Sequence, residues 1–163
     1  MDAEDKQMTP EGTSESYKYP YTCVEEYLEN AELKANADQL AEAIEILREA
    51  VRRFPESAEA HYDLGMALFM LLEMKLANVD IWKNLAEDEG LAEECVAAFE
   101  AAIEKKPDFA PAYANLGNLM ALRGNGKAAV SLWTRALELD PNQPEIRDNL
   151  QRYQTTLLKN ETT

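Results

Sequence analysis

Soft metal ligands and imidazoles are nearly absent from this chain: two cysteines, Cys23 and Cys95, and one histidine, His61, in 163 residues. Two cysteines so far apart build no disulfide scaffold, and the expected setting is a reducing compartment. No Cys/His metal spacing, glycine-rich phosphate loop or nucleophile motif occurs, so the sequence predicts no enzyme and no cofactor. Long apolar runs are missing too. The longest, residues 66–72, is far short of the ~20 residues that cross a bilayer, so no direct membrane insertion is expected. The start, Met1-Asp-Ala-Glu-Asp, has neither the basic region nor the apolar run of a signal peptide, and a cytoplasmic location is expected. Positive charge is the last scarcity. Sixteen Lys and Arg face 31 Asp and Glu, a formal net charge of −15. Phosphate backbones need cationic surfaces, which excludes nucleic acid and favours a basic partner.

What is present is apolar material, 46% of residues, enough for one continuous core. The charge is uneven. Residues 1–57 hold 6 basic and 14 acidic side chains, residues 58–109 hold 4 and 12, and residues 110–163 hold 6 and 5. All the acidic excess therefore lies in the first two thirds.

Three prolines, Pro55, Pro107 and Pro141, each follow an alanine by five residues: Ala50, Ala102 and Ala136. Eight residues before each proline stands a large apolar residue, Leu47, Phe99 or Trp133. Twelve before it stands a small one, Ala43, Cys95 or Ala129. Further upstream the third copy carries Tyr113-x-x-Leu116-Gly117, the second His61-x-x-Leu64-Gly65, and the first only Tyr27-x-x-Asn30-Ala31. Residues 24–57 and 110–143 are each 34 long, and in these columns the chain resembles the tetratricopeptide repeat family. His61 shares a column with Tyr27 and Tyr113, so it reads as a packing residue rather than a catalytic one.

The resemblance implies an all-α fold, a superhelix of antiparallel helix pairs A and B forming one domain over residues 21–160. Residues 1–20 read as a flexible arm. Tyr17, Tyr19 and Tyr21 at its inner end either cover the first repeat or occupy its groove. Residues 144–160 form a capping helix with Ile146, Leu150, Tyr153 and Leu157 on one stripe, and residues 161–163 a tail. The second repeat, 58–109, exceeds its neighbours by 18 residues, expected as a helical insertion at about 73–90. Helix A is expected to reach about Leu76, followed by a short helical piece with Ile81, Trp82 and Leu85. Glu87-Asp88-Glu89 and Gly90 are then expected just before helix B, and Gly124 and Gly126 are expected to supply the freedom of the turn in the third repeat.

Relatives of this kind bind segments of other proteins on the concave side, through the second, fifth, sixth and ninth residues of each helix A. Carried over, these are Glu25, Leu28, Glu29 and Glu32; Glu59, Tyr62, Asp63 and Met66; and Pro111, Ala114, Asn115 and Asn118. Asn149 and Arg152 follow in the capping helix, and Phe69 lies one turn beyond Met66. The resemblance thus implies a groove that is acidic at one end, apolar in the middle and amide-lined at the other, binding a basic or amphipathic protein segment. Family members that grip acidic chaperone tails need lysine and arginine at several of these positions, so that ligand is excluded. Met66, Met70 and Met74 recur every fourth residue and either pack against the insertion or face a ligand. With Ile81, Trp82 and Leu85, Met70 and Met74 define a possible docking surface for a homo-oligomer or larger assembly. Size and acidity also resemble small secretion chaperones of the family.

Overall fold

The computed structural model describes residues 18–77 and 85–161, without the side chains at 77, 85–88 and 156–161. Tyr17, Ile81 and Trp82 lie outside the described residues. Seven helices follow one another there: α1 (Val24–Asn36), α2 (Leu40–Arg53), α3 (Ala58–Ala77), α4 (Leu85–Lys105), α5 (Ala110–Leu122), α6 (Gly126–Leu139) and α7 (Pro144–Glu161). No strand occurs among the described residues.

The small-residue columns explain how the helices pair. Ala43, Cys95 and Ala129 are fully buried, as are Ala50, Ala102 and Ala136, so each B helix meets its neighbours backbone to backbone. The absent side chains make room for large ones. A Cβ placed on Gly117 would lie 2.6 Å from the Trp133 indole, and one on Gly65 would lie 2.8 Å from the Phe99 ring. The thiol of Cys95 donates to the Gly65 carbonyl at 3.2 Å, and burial pushes its pKa up to about 12, so it is an unreactive packing group.

Each proline marks a joint. His61 Nε2 meets the Pro55 carbonyl at 2.9 Å, the Tyr113 hydroxyl donates to the Pro107 carbonyl at 3.2 Å, and Arg147 donates to the Pro141 carbonyl at 2.5 Å. Three unlike side chains, each six residues after its proline, thus do one task, closing the turns that enter α3, α5 and α7. Glu26 tightens the start of α1 in another way, its carboxylate accepting from the Thr22 backbone amide at 2.6 Å.

Tyr19 and Tyr21 cover the exposed end of the first repeat. Tyr21 meets Tyr27 edge-on at 4.9 Å between centroids, and the Arg53 guanidinium donates to the Tyr21 carbonyl and the Tyr27 hydroxyl. At the other end α7 closes the stack, with Tyr153 edge-on to Trp133 at 5.2 Å and its hydroxyl on the Ala121 carbonyl.

The second repeat departs from expectation in an ordered way. Helix α3 has 20 residues where α1 and α5 have 13, and α4 has 21 where α2 and α6 have 14. Seven extra residues on each helix are two turns, about 10 Å, and the connection, 78–84, supplies the other four of the surplus. Leu85 therefore opens α4, and the Glu87-Asp88-Glu89-Gly90 run lies inside that helix instead of preceding it. Leu, Ala and Glu are good helix formers, and the acidic residues still fall near the N-terminus, where the helix dipole favours them. A second expectation is also corrected. Of the two glycines only Gly124 has a positive φ, +76°, while Gly126 is an ordinary first residue of α6; Asn125 caps that helix by accepting from the Ala128 amide.

Candidate functional site

The A helices lie on the inner side of the stack: α1 packs on α3 and α3 on α5, whereas each B helix packs on its own A helix and the next one, and α2 reaches α4 through the Arg48–Glu94 ion pair at 2.7 Å. The line of A helices is the shorter path, so its outward residues face a concave surface. At one end of this surface Glu25, Glu29 and Glu32 are exposed, and Leu28 is half-buried against the core.

On α3 the carboxylates differ. Glu59 is exposed and paired with Lys106 at 3.2 Å, and its pKa is lowered, first by a backbone hydrogen bond at the helix start and then by that ammonium. Asp63, one turn on, is half-buried, with no cationic partner among the described residues. Burial, and then the charges of Glu32 and Glu59, push its pKa up to about 6. Tyr62 packs on Phe99 and Phe109, and burial is the main cause of its raised pKa. It is as much a joint between repeats as a groove residue.

The amides at the far end are oriented by neighbours. Asn115 donates to the Tyr62 hydroxyl at 3.1 Å. Asn118 accepts from the Trp133 indole at 3.0 Å and from Asn149 at 3.4 Å. This leaves the Asn115 carbonyl and the Asn118 amino group facing outward without a bond to another described residue, an acceptor and a donor three residues apart on α5. The indole contact of Asn118 depends on Trp133 lying one helix away, which spacing within α5 could not reveal.

Of the remaining residues, Met66 is half-buried, Phe69 is buried, and Met70 and Met74 are exposed. Leu85 begins α4, and Ile81 and Trp82 fall outside the described residues, so the docking surface is visible only in part. Ala114 is buried and Pro111 exposed, and Arg152 is exposed on α7. One feature that sequence reasoning missed is a cleft of about 550 Å³ between α3, α5 and α7. It is lined by Phe69, Glu73, Asn118, Ala121, Leu122, Trp133, Asn149 and Tyr153. Among the described residues no group of acidic, cysteine or histidine side chains could hold a metal ion.

The family profile described as tetratricopeptide repeat matches residues 28–77 and 84–144. The chain belongs to the tetratricopeptide repeat family. Among solved structures, the first tetratricopeptide domain of Spaghetti (RPAP3) bound to the HSP90 peptide SRMEEVD is similar. It has a TM-score of 0.68 at 16% identity, over 83% of this chain and 93% of that one. The crystal structure of MamA protein gives 0.66 at 24%, over 85% and 66%. The complex of the TPR2B domain of yeast Sti1 with an Hsp70 peptide gives 0.65 at 19%, over 82% and 97%. At such identities these likenesses establish the fold. A curated relative, the mouse protein O-mannosyl-transferase TMTC1, is 30% identical over 67 residues. That span is 41% of this chain but only 7% of the mouse protein.

Proposed function

We propose that this tetratricopeptide repeat domain is a non-enzymatic protein-interaction module, an adaptor or chaperone, whose concave face holds a basic or amphipathic segment of a partner protein. The observation that carries this reading is Asp63. A half-buried carboxylate without a cation among the described residues, beside Glu32 and Glu59, is unfavourable and is relieved by an incoming lysine or arginine. Glu29 and Glu32 steer such a segment, Met66 supplies apolar contact, and Asn115 and Asn118 present one acceptor and one donor to its backbone.

Two of the similar structures hold chaperone peptides, and the one in the Spaghetti structure, SRMEEVD, ends in acidic residues. The same ligand here would meet glutamate and aspartate along α1 and α3. The likeness thus supports peptide binding as the task, and the charge reverses the type of peptide.

Exposed ion pairs contribute roughly 0.2–1 kcal/mol each, so the apolar contacts carry most of the affinity, and a Kd near ~1 μM is expected. Fluorescence anisotropy with lysine-rich peptides tests the reading. Joint reversal of Glu29→Lys, Glu32→Lys and Asp63→Lys should abolish binding, and unchanged affinity would sink the groove assignment.

A further inference from the structure

The cleft between α3, α5 and α7 draws one lining residue from the length that the second repeat adds. Phe69 lies in the part of α3 that matches its neighbours, but Glu73 belongs to the two added turns, opposite Leu122, the last residue of α5. The lining combines apolar side chains, Phe69, Ala121, Leu122, Trp133 and Tyr153, with the polar Glu73, Asn118 and Asn149. Leu122 is 47% exposed, and Met70 and Met74, each one residue along α3 from a cleft residue, are 45% and 54% exposed. An apolar side chain exposed at the rim of a cleft beside a concave site, as Leu122 is, marks a place for a ligand side chain. The cleft, about 550 Å³, is open to solvent, as a site for one side chain of an extended segment must be. Glu73, at the mouth, is exposed and has no cation beside it among the described residues, whereas the nearby Arg123 is paired with Glu89 at 3.7 Å.

Resting on the groove reading above, we propose that this cleft is a specificity pocket of the same partner segment. It takes one large apolar side chain, aromatic or leucine, flanked by a lysine or arginine that meets Glu73. Charge selects this occupant over two others. A second copy of the chain would bring another formal −15 to an already acidic surface, and residues 1–17 of the same chain hold five acidic side chains and one basic. The regular end of the groove holds the segment by charge and backbone, and the added turns of α3 choose which segments fit.

The chain has only two tryptophans, Trp82 and Trp133, so a Trp82→Phe background leaves Trp133, in the cleft wall, as the sole reporter. The probes are a lysine-rich peptide with alanine spacers and a set in which one phenylalanine is moved through it. In the best register phenylalanine should tighten binding about tenfold or more, as burial of an aromatic ring implies, and should change Trp133 emission where the parent peptide does not. Leu122→Asp, at an exposed position outside the core, should erase that gain and leave the parent peptide's affinity unchanged. No gain in any register, or a gain that survives Leu122→Asp, overturns the pocket. If the parent fails to bind but phenylalanine peptides still change Trp133 emission in a Leu122-dependent way, the pocket stands and the groove reading falls. If no peptide binds at all, both fall.

Discussion

The third repeat and the second are built from the same columns to different ends. In α5 and α6 the rules are kept: 13 and 14 residues, a glycine with positive φ in the turn, an asparagine cap, and an indole seated on a glycine. In α3 and α4 the packing columns are equally strict, yet two turns run past the point where the neighbours stop, and exposed methionines and an aspartate with no cation beside it among the described residues appear on α3. The comparison teaches that joints between repeats depend on a few small residues near the middle of each hairpin. The ends are free to lengthen, and the lengthened end of α3 brings Glu73 to the cleft.

The sharpest way to break the comparison is at the joints, where both repeats should be equally intolerant. Trp133→Ala and Phe99→Ala should each cost about 3–5 kcal/mol in chemical denaturation, because both rings are fully buried. Leucine at Gly117 or Gly65 should cost about 1–3 kcal/mol from overpacking against those rings. Tolerance of either pair in one repeat only would end the claim that the joints are equivalent.

A smaller effect separates the repeats through Asp63. Its folded pKa, about 6, lies above the ordinary carboxylate value of 3.8, so the folded state binds the extra proton between those values. The contribution of Asp63 to the stability of the free protein should therefore fall as pH rises from about 4 to about 6, and Asp63→Asn should gain stability relative to the parent over that range in pH-dependent denaturation. A bound lysine or arginine favours the ionised form, so binding near pH 6 should release protons, a quantity read by calorimetry in buffers of different ionisation enthalpy.

The smallest expected effect has opposite signs in the two repeats. Gly90 lies inside α4 with nothing within 4 Å of an added Cβ, so Gly90→Ala should stabilise by about 0.5–1 kcal/mol. Gly124 has φ +76°, so Gly124→Ala should destabilise by about 1 kcal/mol. Thermal melts of the two variants check both signs.

Much of this was legible in the sequence, and the reason is local. Alanine at Ala50, Ala102 and Ala136 can only mean close approach when it recurs with proline five residues on, and each is fully buried. Tyr19 and Tyr21 do cover the first repeat, one of the two roles open to them. The start of α4 was harder to read. Gly90 looks like a boundary, but one glycine costs a helix only about 1 kcal/mol, which the good helix formers around it and the packing downstream offset. The cleft was not legible at all, since it depends on the lengths of α3 and α5 compared side by side and on Tyr153 reaching back from α7. The partial engagement of Asn115 and Asn118 was likewise hidden, because Tyr62 and Trp133 approach from other helices.

The central claim is that a basic segment binds the line of A helices, and a backbone amide NMR titration with a lysine-rich peptide tests it most directly. The account predicts that perturbations fall on Glu29, Asp63, Met66, Asn115 and Asn118, while Arg48 on α2 and Thr134 on α6 stay unmoved. Perturbations confined to α2 and α6, with α3 and α5 silent, would contradict it.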